Sequence, residues 1–74
     1  MDYAYEKLLG KHISNIRNSQ NMTQDELSTK LQLEGCDITR SALAKIESGQ
    51  RRIYASEIKA LCAVLSISYD ELLI

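Results

Sequence analysis

Two segments of the chain carry the same signal for the start of a helix. Each has a hydroxyl residue that can cap the first turn, a glutamate three residues later that can bond back to the cap, and flanking apolar residues that can staple the turn. The segments are Met22-Thr23-Gln24-Asp25-Glu26-Leu27 and Ile67-Ser68-Tyr69-Asp70-Glu71-Leu72. The chain also has no proline and only three glycines, and therefore few of the residues that tight turns between strands require. These features predict an all-α fold.

Apolar residues at helical spacing predict five short helices. The first has Tyr5, Leu9, Ile13 and Ile16 on one face. The helices are expected at about 5–18, from 23 to before Gly35, at 39–48 with Gly49 as the stop, at about 55–65, and from 67 onward. A chain of 74 residues has room for one core. We therefore expect residues 1–74 to form a single compact domain.

Several classes of protein and site are not expected. The longest apolar runs, such as 60–65, are far shorter than the roughly 18 residues that cross a bilayer, and the acidic N-terminus lacks the pattern of a secretory signal. Cys36 and Cys62 stand apart with no CxxC motif, so we expect free thiols in the cytoplasm and no metal site. No nucleophile–base or phosphate-loop motif indicates an enzyme, and no cofactor is expected.

The third predicted helix has one small, polar and basic face. On a helical wheel, Arg40, Ser41, Ala44, Lys45 and Ser48 share this face, opposite the apolar side. Residues 38–53 carry a net charge of +3 in a chain whose net charge is −1. Short residues allow close approach to a major groove, where a basic side chain can reach base edges. The alternative from the pattern alone is a solvated amphipathic helix that happens to be basic.

The stretch 9–73 resembles the lambda-repressor-like, Cro/repressor (XRE) family of helix-turn-helix regulators. The matching motifs are Ile13-x-x-Ile16-Arg17, Met22-Thr23-Gln24-Asp25-Glu26-Leu27-Ser28, Thr39-Arg40-Ser41-Ala42-Leu43-Ala44-Lys45-Ile46-Glu47-Ser48-Gly49, and Leu65-Ser66-Ile67-Ser68-x-x-x-Leu72-Leu73. The resemblance implies a helix-turn-helix core at about 23–49. It also implies that the second helix abuts the backbone of duplex DNA and that the third lies in the major groove.

The resemblance assigns roles to individual residues. Base contacts are implied for Arg40, Ser41, Ala44 and Lys45. Phosphate contacts are implied for Gln24, Ser48, Gln50, Arg51 and Arg52. Beyond the resemblance, phosphate contacts are also expected from Thr23 and from Tyr54, which follows the basic loop. The family pairs the positions of Arg17 and Glu47 across the core, which predicts a structural ion pair; Glu47 also flanks the apolar side of its helix, where a carboxylate needs a partner.

The chain departs from the family pattern in two places. The segment from Gln24 to Thr39 is about five residues longer than the compact family form, because residues 32–36 intrude. We expect the second helix to extend by about one turn, with Leu33 and Ile38 packed beneath the connector. Ser66 stands where the family commonly has a glycine, so a left-handed, mildly strained residue is expected there.

The resulting functional prediction is a sequence-specific transcriptional regulator of double-stranded DNA, expected to be a repressor. One such module binds modestly, so we expect a homodimer on half-sites about 10 bp apart or a multiple of that. The apolar C-terminal residues Leu72, Leu73 and Ile74 are candidates for the dimer contact. Two alternatives remain: an antitoxin that also binds a toxin, and a helix-turn-helix used only for protein–protein contact.

Overall fold

The computed structural model describes residues 4–73, which form five helices and no strands. The helices are α1 (Ala4–Ser19), α2 (Gln24–Leu33), α3 (Arg40–Glu47), α4 (Ala55–Leu65) and α5 (Tyr69–Leu72). The predicted all-α, five-helix architecture is confirmed. No helix in this part of the chain is long and apolar enough to cross a membrane.

Side-chain caps start three of the helices. The Thr23 hydroxyl accepts a hydrogen bond from the Glu26 amide at 3.1 Å, and the Thr23 amide donates to the Glu26 carboxylate at 3.0 Å. Ser68 and Glu71 form the same reciprocal box at 3.1 and 3.0 Å. Thr39 caps α3 by accepting from the amide of Ala42. Each cap satisfies amides of a first turn that have no partner within the helix.

Left-handed residues end the first four helices. These residues are Asn21, Gly35, Gly49 and Ser66, with φ between 56° and 82°. In each case the next amide donates back to a carbonyl five residues earlier, as Cys36 does to Leu31 at 2.9 Å. This bond closes the last turn and reverses the chain. The left-handed conformation predicted for Ser66 is confirmed, at φ 56°.

The core is a single apolar cluster drawn from all five helices and from the connector before α3. Its members are Leu9, Ile13, Leu27, Leu31, Ile38, Leu43, Ile46, Leu61, Cys62, Leu65 and Leu72. Helix α1 crosses α3 closely at Gly10, where a β-carbon would overlap the carbonyl oxygen of Ile46. This close crossing holds the buried side of α3 against α1.

The longer connector folds only partly as expected. Helix α2 does extend, to Leu33, and Ile38 is fully buried beneath the connector as predicted. The prediction for Leu33 is wrong, because its side chain is 83% exposed. Leu27 and Leu31 lie one turn apart and face the core, whereas Leu33 is rotated about 200° from Leu31 and faces solvent.

The structure also shows how far Tyr5 and the apolar C-terminal residues Leu72 and Leu73 are exposed. Tyr5, predicted on the inward face of α1, is exposed rather than buried. At the C-terminus Leu72 is fully buried and Leu73 is exposed. The expected contact at Ile74 lies outside the described residues.

Candidate nucleic-acid interface

Helix α3 is anchored on one side and open on the other. Leu43 and Ile46 are buried, whereas Arg40, Ser41, Lys45 and Ser48 are exposed and Ala44 is half-buried between them. The open face therefore carries cationic and hydroxyl side chains around the short side chain of Ala44 at its centre. Such a surface can approach a groove closely and donate hydrogen bonds to base-edge acceptors.

A bidentate ion pair supports the C-terminal end of α3 from below. Arg17 Nε donates to Glu47 Oε2 at 2.8 Å, and Nη2 donates to Oε1 at 3.0 Å. The two side chains are only 11% and 7% exposed. The hydrogen bond to Glu47 raises the pKa of Arg17. A third donation, from Arg17 Nη1 to the carbonyl of Met22 at 2.8 Å, ties the pair to the start of α2.

Gln24 joins this network from the first position of α2. Its Nε2 donates to Glu47 Oε1 at 3.0 Å, so the side chain bridges the N-terminus of α2 and the C-terminal turn of α3. A primary amide has a second N–H and an acceptor oxygen. The bridge therefore orients the amide and leaves it further hydrogen-bonding capacity. Around it, Thr23, Asn18 and Arg40 line one shallow polar concavity.

The exposed cations of the candidate interface differ in their partners. Arg40 Nε lies 3.5 Å from Asp25 Oδ1, with both side chains exposed, so the pair links the first turns of α3 and α2. Arg52 Nε lies 3.7 Å from Glu6 Oε1 of α1. Among the described residues, Lys45 forms no ion pair.

The two arginines of the connector between α3 and α4 differ in their contacts and exposure. Arg51 donates from Nη1 and Nη2 to the two oxygens of Glu57, at 2.9 and 2.8 Å, and its guanidinium lies 5.4 Å from the centre of the Tyr54 ring. Its side chain is 27% exposed, against 56% for Arg52. The phosphate contact predicted for Arg51 remains a prediction, but its guanidinium is engaged within the fold. Ser48, Gln50 and Tyr54 are exposed.

Sequence reasoning missed the carboxylates that hold these cations, which are Asp25, Glu6 and Glu57. One of them had a readable signal. Glu57 stands three residues after Tyr54 at the start of α4, the spacing of a glutamate that accepts from a cap amide, and it does so at 2.9 Å. Asp25 and Glu6 face their partners only through tertiary packing, and no sequence spacing indicated either.

The described residues hold no cluster of His, Cys, Asp or Glu side chains that could bind a metal ion. Cys36 and Cys62 are both free thiols, and burial raises the pKa of each. His12 Nε2 donates to the carbonyl oxygen of Glu71 at 2.6 Å, which joins α1 to α5.

Comparison with known proteins identifies the family. A family model described as helix-turn-helix matches residues 13–72. The chain is similar to the crystal structure of the restriction-modification controller protein C.AhdI from Aeromonas hydrophila, with a TM-score of 0.83 and 27% sequence identity over 95% of this chain and 94% of that one. The comparison with curated proteins gave no match. The chain belongs to the XRE-type helix-turn-helix family of DNA-binding transcriptional regulators.

Proposed function

We propose that residues 1–74 act as one DNA-binding domain that recognises a specific duplex sequence as a homodimer, with α3 in the major groove. The observation that carries this proposal is the open face of α3. Arg40 and Lys45 project from it beside the small Ala44, and the segment 38–53 holds +3 charge in a chain of net charge −1. The cations are thus concentrated where a groove would meet the protein.

The proposed contacts fall into two classes. Arg40, Ser41, Ala44 and Lys45 meet base edges, because they lie on the open face. Thr23, Gln24, Ser48, Gln50, Arg52 and Tyr54 meet phosphates on either side of the groove, because they flank that face on α2 and on the connector. Base contacts carry sequence information, whereas phosphate contacts fix position on the duplex.

A second copy of the chain completes the proposed DNA-binding unit. Tyr5 and Leu73 are exposed apolar residues that line one groove with the half-buried Ile53 and Ile58. Apolar surface of this kind is typical of protein contacts. In an isologous dimer the same patch serves both subunits, so the DNA site is expected to be two-fold related.

The regulated genes are proposed from the likeness to C.AhdI. That protein is a restriction-modification controller, and the likeness extends over nearly the whole of both chains. We infer that this chain controls transcription of a restriction-modification operon, and that it represses where its dimer site overlaps the promoter. A reporter gene placed downstream of the selected site distinguishes repression from activation. Its expression should fall when the protein is supplied.

The decisive experiment selects bound duplexes from a random pool and then measures isotherms at several salt concentrations. Lys45→Ala should weaken the selected site by about 1–3 kcal/mol and a scrambled duplex much less. Arg52→Ala should weaken both duplexes alike and lower the salt slope by about one. Lys59→Ala is the matched control, since Lys59 is exposed on α4 and forms no ion pair among the described residues. Equal loss on both duplexes for Lys45→Ala would show that α3 does not read bases.

A further inference from the structure

The two adjacent arginines of the connector differ in what holds them. Arg51 makes three donations, two to the carboxylate of Glu57 and one from Nη1 to the carbonyl oxygen of Arg52 at 2.8 Å. In the part of the chain that the structure describes, the Arg52 side chain has one long ion-pair contact, 3.7 Å to Glu6, and it is about twice as exposed as that of Arg51. A bidentate Arg–carboxylate pair fixes both side chains in one geometry, whereas a single long contact does not.

Glu57 is held as firmly as Arg51. Its side chain is 12% exposed, and besides the two arginine donors its Oε1 accepts from the amide of Tyr54 at 2.9 Å. The Glu57 carboxylate therefore holds the connector backbone on both sides of Ile53. It accepts directly from the Tyr54 amide, and it orients Arg51, which donates to the carbonyl oxygen of Arg52. The first turn of α4, which contains Glu57, is the fixed base of this arrangement.

We propose that Arg51 is a positioning residue rather than a phosphate ligand. With Glu57 it sets the path of residues 50–54, so that Gln50 and Arg52 face the duplex when α3 enters the groove. This inference rests on the proposed DNA-binding function. It divides the basic pair Arg51-Arg52 into a structural member and a DNA-contacting member.

Glu57→Gln gives opposite results under the two roles. If Arg51 were a phosphate ligand, loss of the competing carboxylate would free its guanidinium and strengthen DNA binding. If Arg51 positions the connector, the variant should weaken binding about tenfold, at the lower end of what one lost hydrogen bond to a charged group is worth. Glu34→Gln removes the same charge at an exposed position whose side chain forms no ion pair among the described residues, and it controls for net charge.

Arg51→Lys separates charge from geometry. A lysine keeps the positive charge but cannot form the bidentate pair. A phosphate contact should survive this change nearly intact, whereas a positioning role should not. We expect Arg51→Lys to weaken binding about as much as Glu57→Gln, and the double variant to be no weaker than either single one. Near-normal binding by Arg51→Lys, or tighter binding by Glu57→Gln, would overturn the proposal.

Hydrogen exchange tests the same pair without DNA. The Tyr54 amide is bonded to Glu57, so its exchange should accelerate in Arg51→Lys and Glu57→Gln but not in Arg52→Ala. Unchanged exchange in the first two variants would refute the positioning role even if the protein bound no DNA. Failure of the unsubstituted chain to bind any selected duplex would instead refute the proposed function. The two failures are therefore distinguishable.

Discussion

Breaking the Arg17–Glu47 pair should be among the most damaging single changes outside the apolar core. Both side chains are about nine-tenths buried, so removal of one partner leaves a charge in a poorly solvated place. Loss of one member of such a pair typically costs about 3–5 kcal/mol. The whole stability of a domain of this size is on the order of 4–11 kcal/mol, so either change removes a large fraction of it.

The surrounding hydrogen bonds predict which member matters more. Glu47→Ala leaves Arg17 with two acceptors, the carbonyl of Met22 at 2.8 Å and the Asn18 side chain at 3.2 Å. Among the described residues, Arg17→Ala leaves the Glu47 carboxylate with Gln24 as its remaining donor, and it also removes the donor to the Met22 carbonyl. We expect about 3 kcal/mol for Glu47→Ala and about 1 kcal/mol more for Arg17→Ala, the second figure being one lost buried hydrogen bond.

A double-mutant cycle by urea unfolding measures the coupling. The double variant should cost less than the sum of the single variants by at least about 2 kcal/mol, since neither charge is then left alone. The exposed pair Arg40–Asp25 is the matched control, and its coupling should be under about 1 kcal/mol. If both cycles gave the same small coupling, burial would not be what makes the Arg17–Glu47 pair important, and the reasoning would fail.

Further predictions concern backbone positions and pH. Gly10→Ala should destabilise the fold by about 2 kcal/mol or more in thermal unfolding, because its β-carbon would overlap the Ile46 carbonyl oxygen. Gly35→Ala places its β-carbon in open space and should cost about 1 kcal/mol, because residue 35 has a positive φ. Ser66→Gly should raise the melting midpoint, because it relieves a left-handed serine. Hydrogen bonding to Arg51 lowers the pKa of Glu57, so the stability from this carboxylate is present above a pH of about 4.3 and is lost as the pH falls through the lowered pKa. Urea midpoints across that range should depend less on pH in Glu57→Gln than in the unsubstituted chain.

Local signals predicted much of the fold, because the helix ends are set by a few neighbouring residues. The caps at Thr23 and Ser68 act within four residues, and the stop at Gly49 depends on one dihedral angle. Leu33 shows the limit of this approach. The expectation that it packs beneath the connector overlooks its angular distance from Leu31, which places it on the opposite face of α2.

Long-range contacts explain what the sequence did not predict about the site. The close crossing at Gly10 and the pair of Arg52 with Glu6 depend on how α1 lies against α3 and its connector, which no local pattern encodes. The contact between Arg17 and Glu47 spans 30 residues; the position of Glu47 on its helix indicated the need for a partner, but only the family resemblance indicated Arg17. The difference between Arg51 and Arg52 arises from the position of Glu57 beside only one of them, whereas two adjacent arginines look equivalent in a sequence.

The partners of the exposed cations explain how a chain with net charge −1 can bind DNA, which is a polyanion. Arg40 and Arg52 each lie near a carboxylate, Asp25 and Glu6, at 3.5 and 3.7 Å. Both side chains of the Arg40–Asp25 pair are exposed, and such pairs are worth under about 1 kcal/mol, so a base edge or phosphate can replace Asp25 at little cost. Under the proposed groove binding, Asp25 should also lower the attraction for duplexes on which α3 finds no matching bases, because its carboxylate repels the nearby phosphates. Charge-removing variants such as Asp25→Asn should therefore bind scrambled DNA more tightly and lose discrimination, even though they make no new contact with a base.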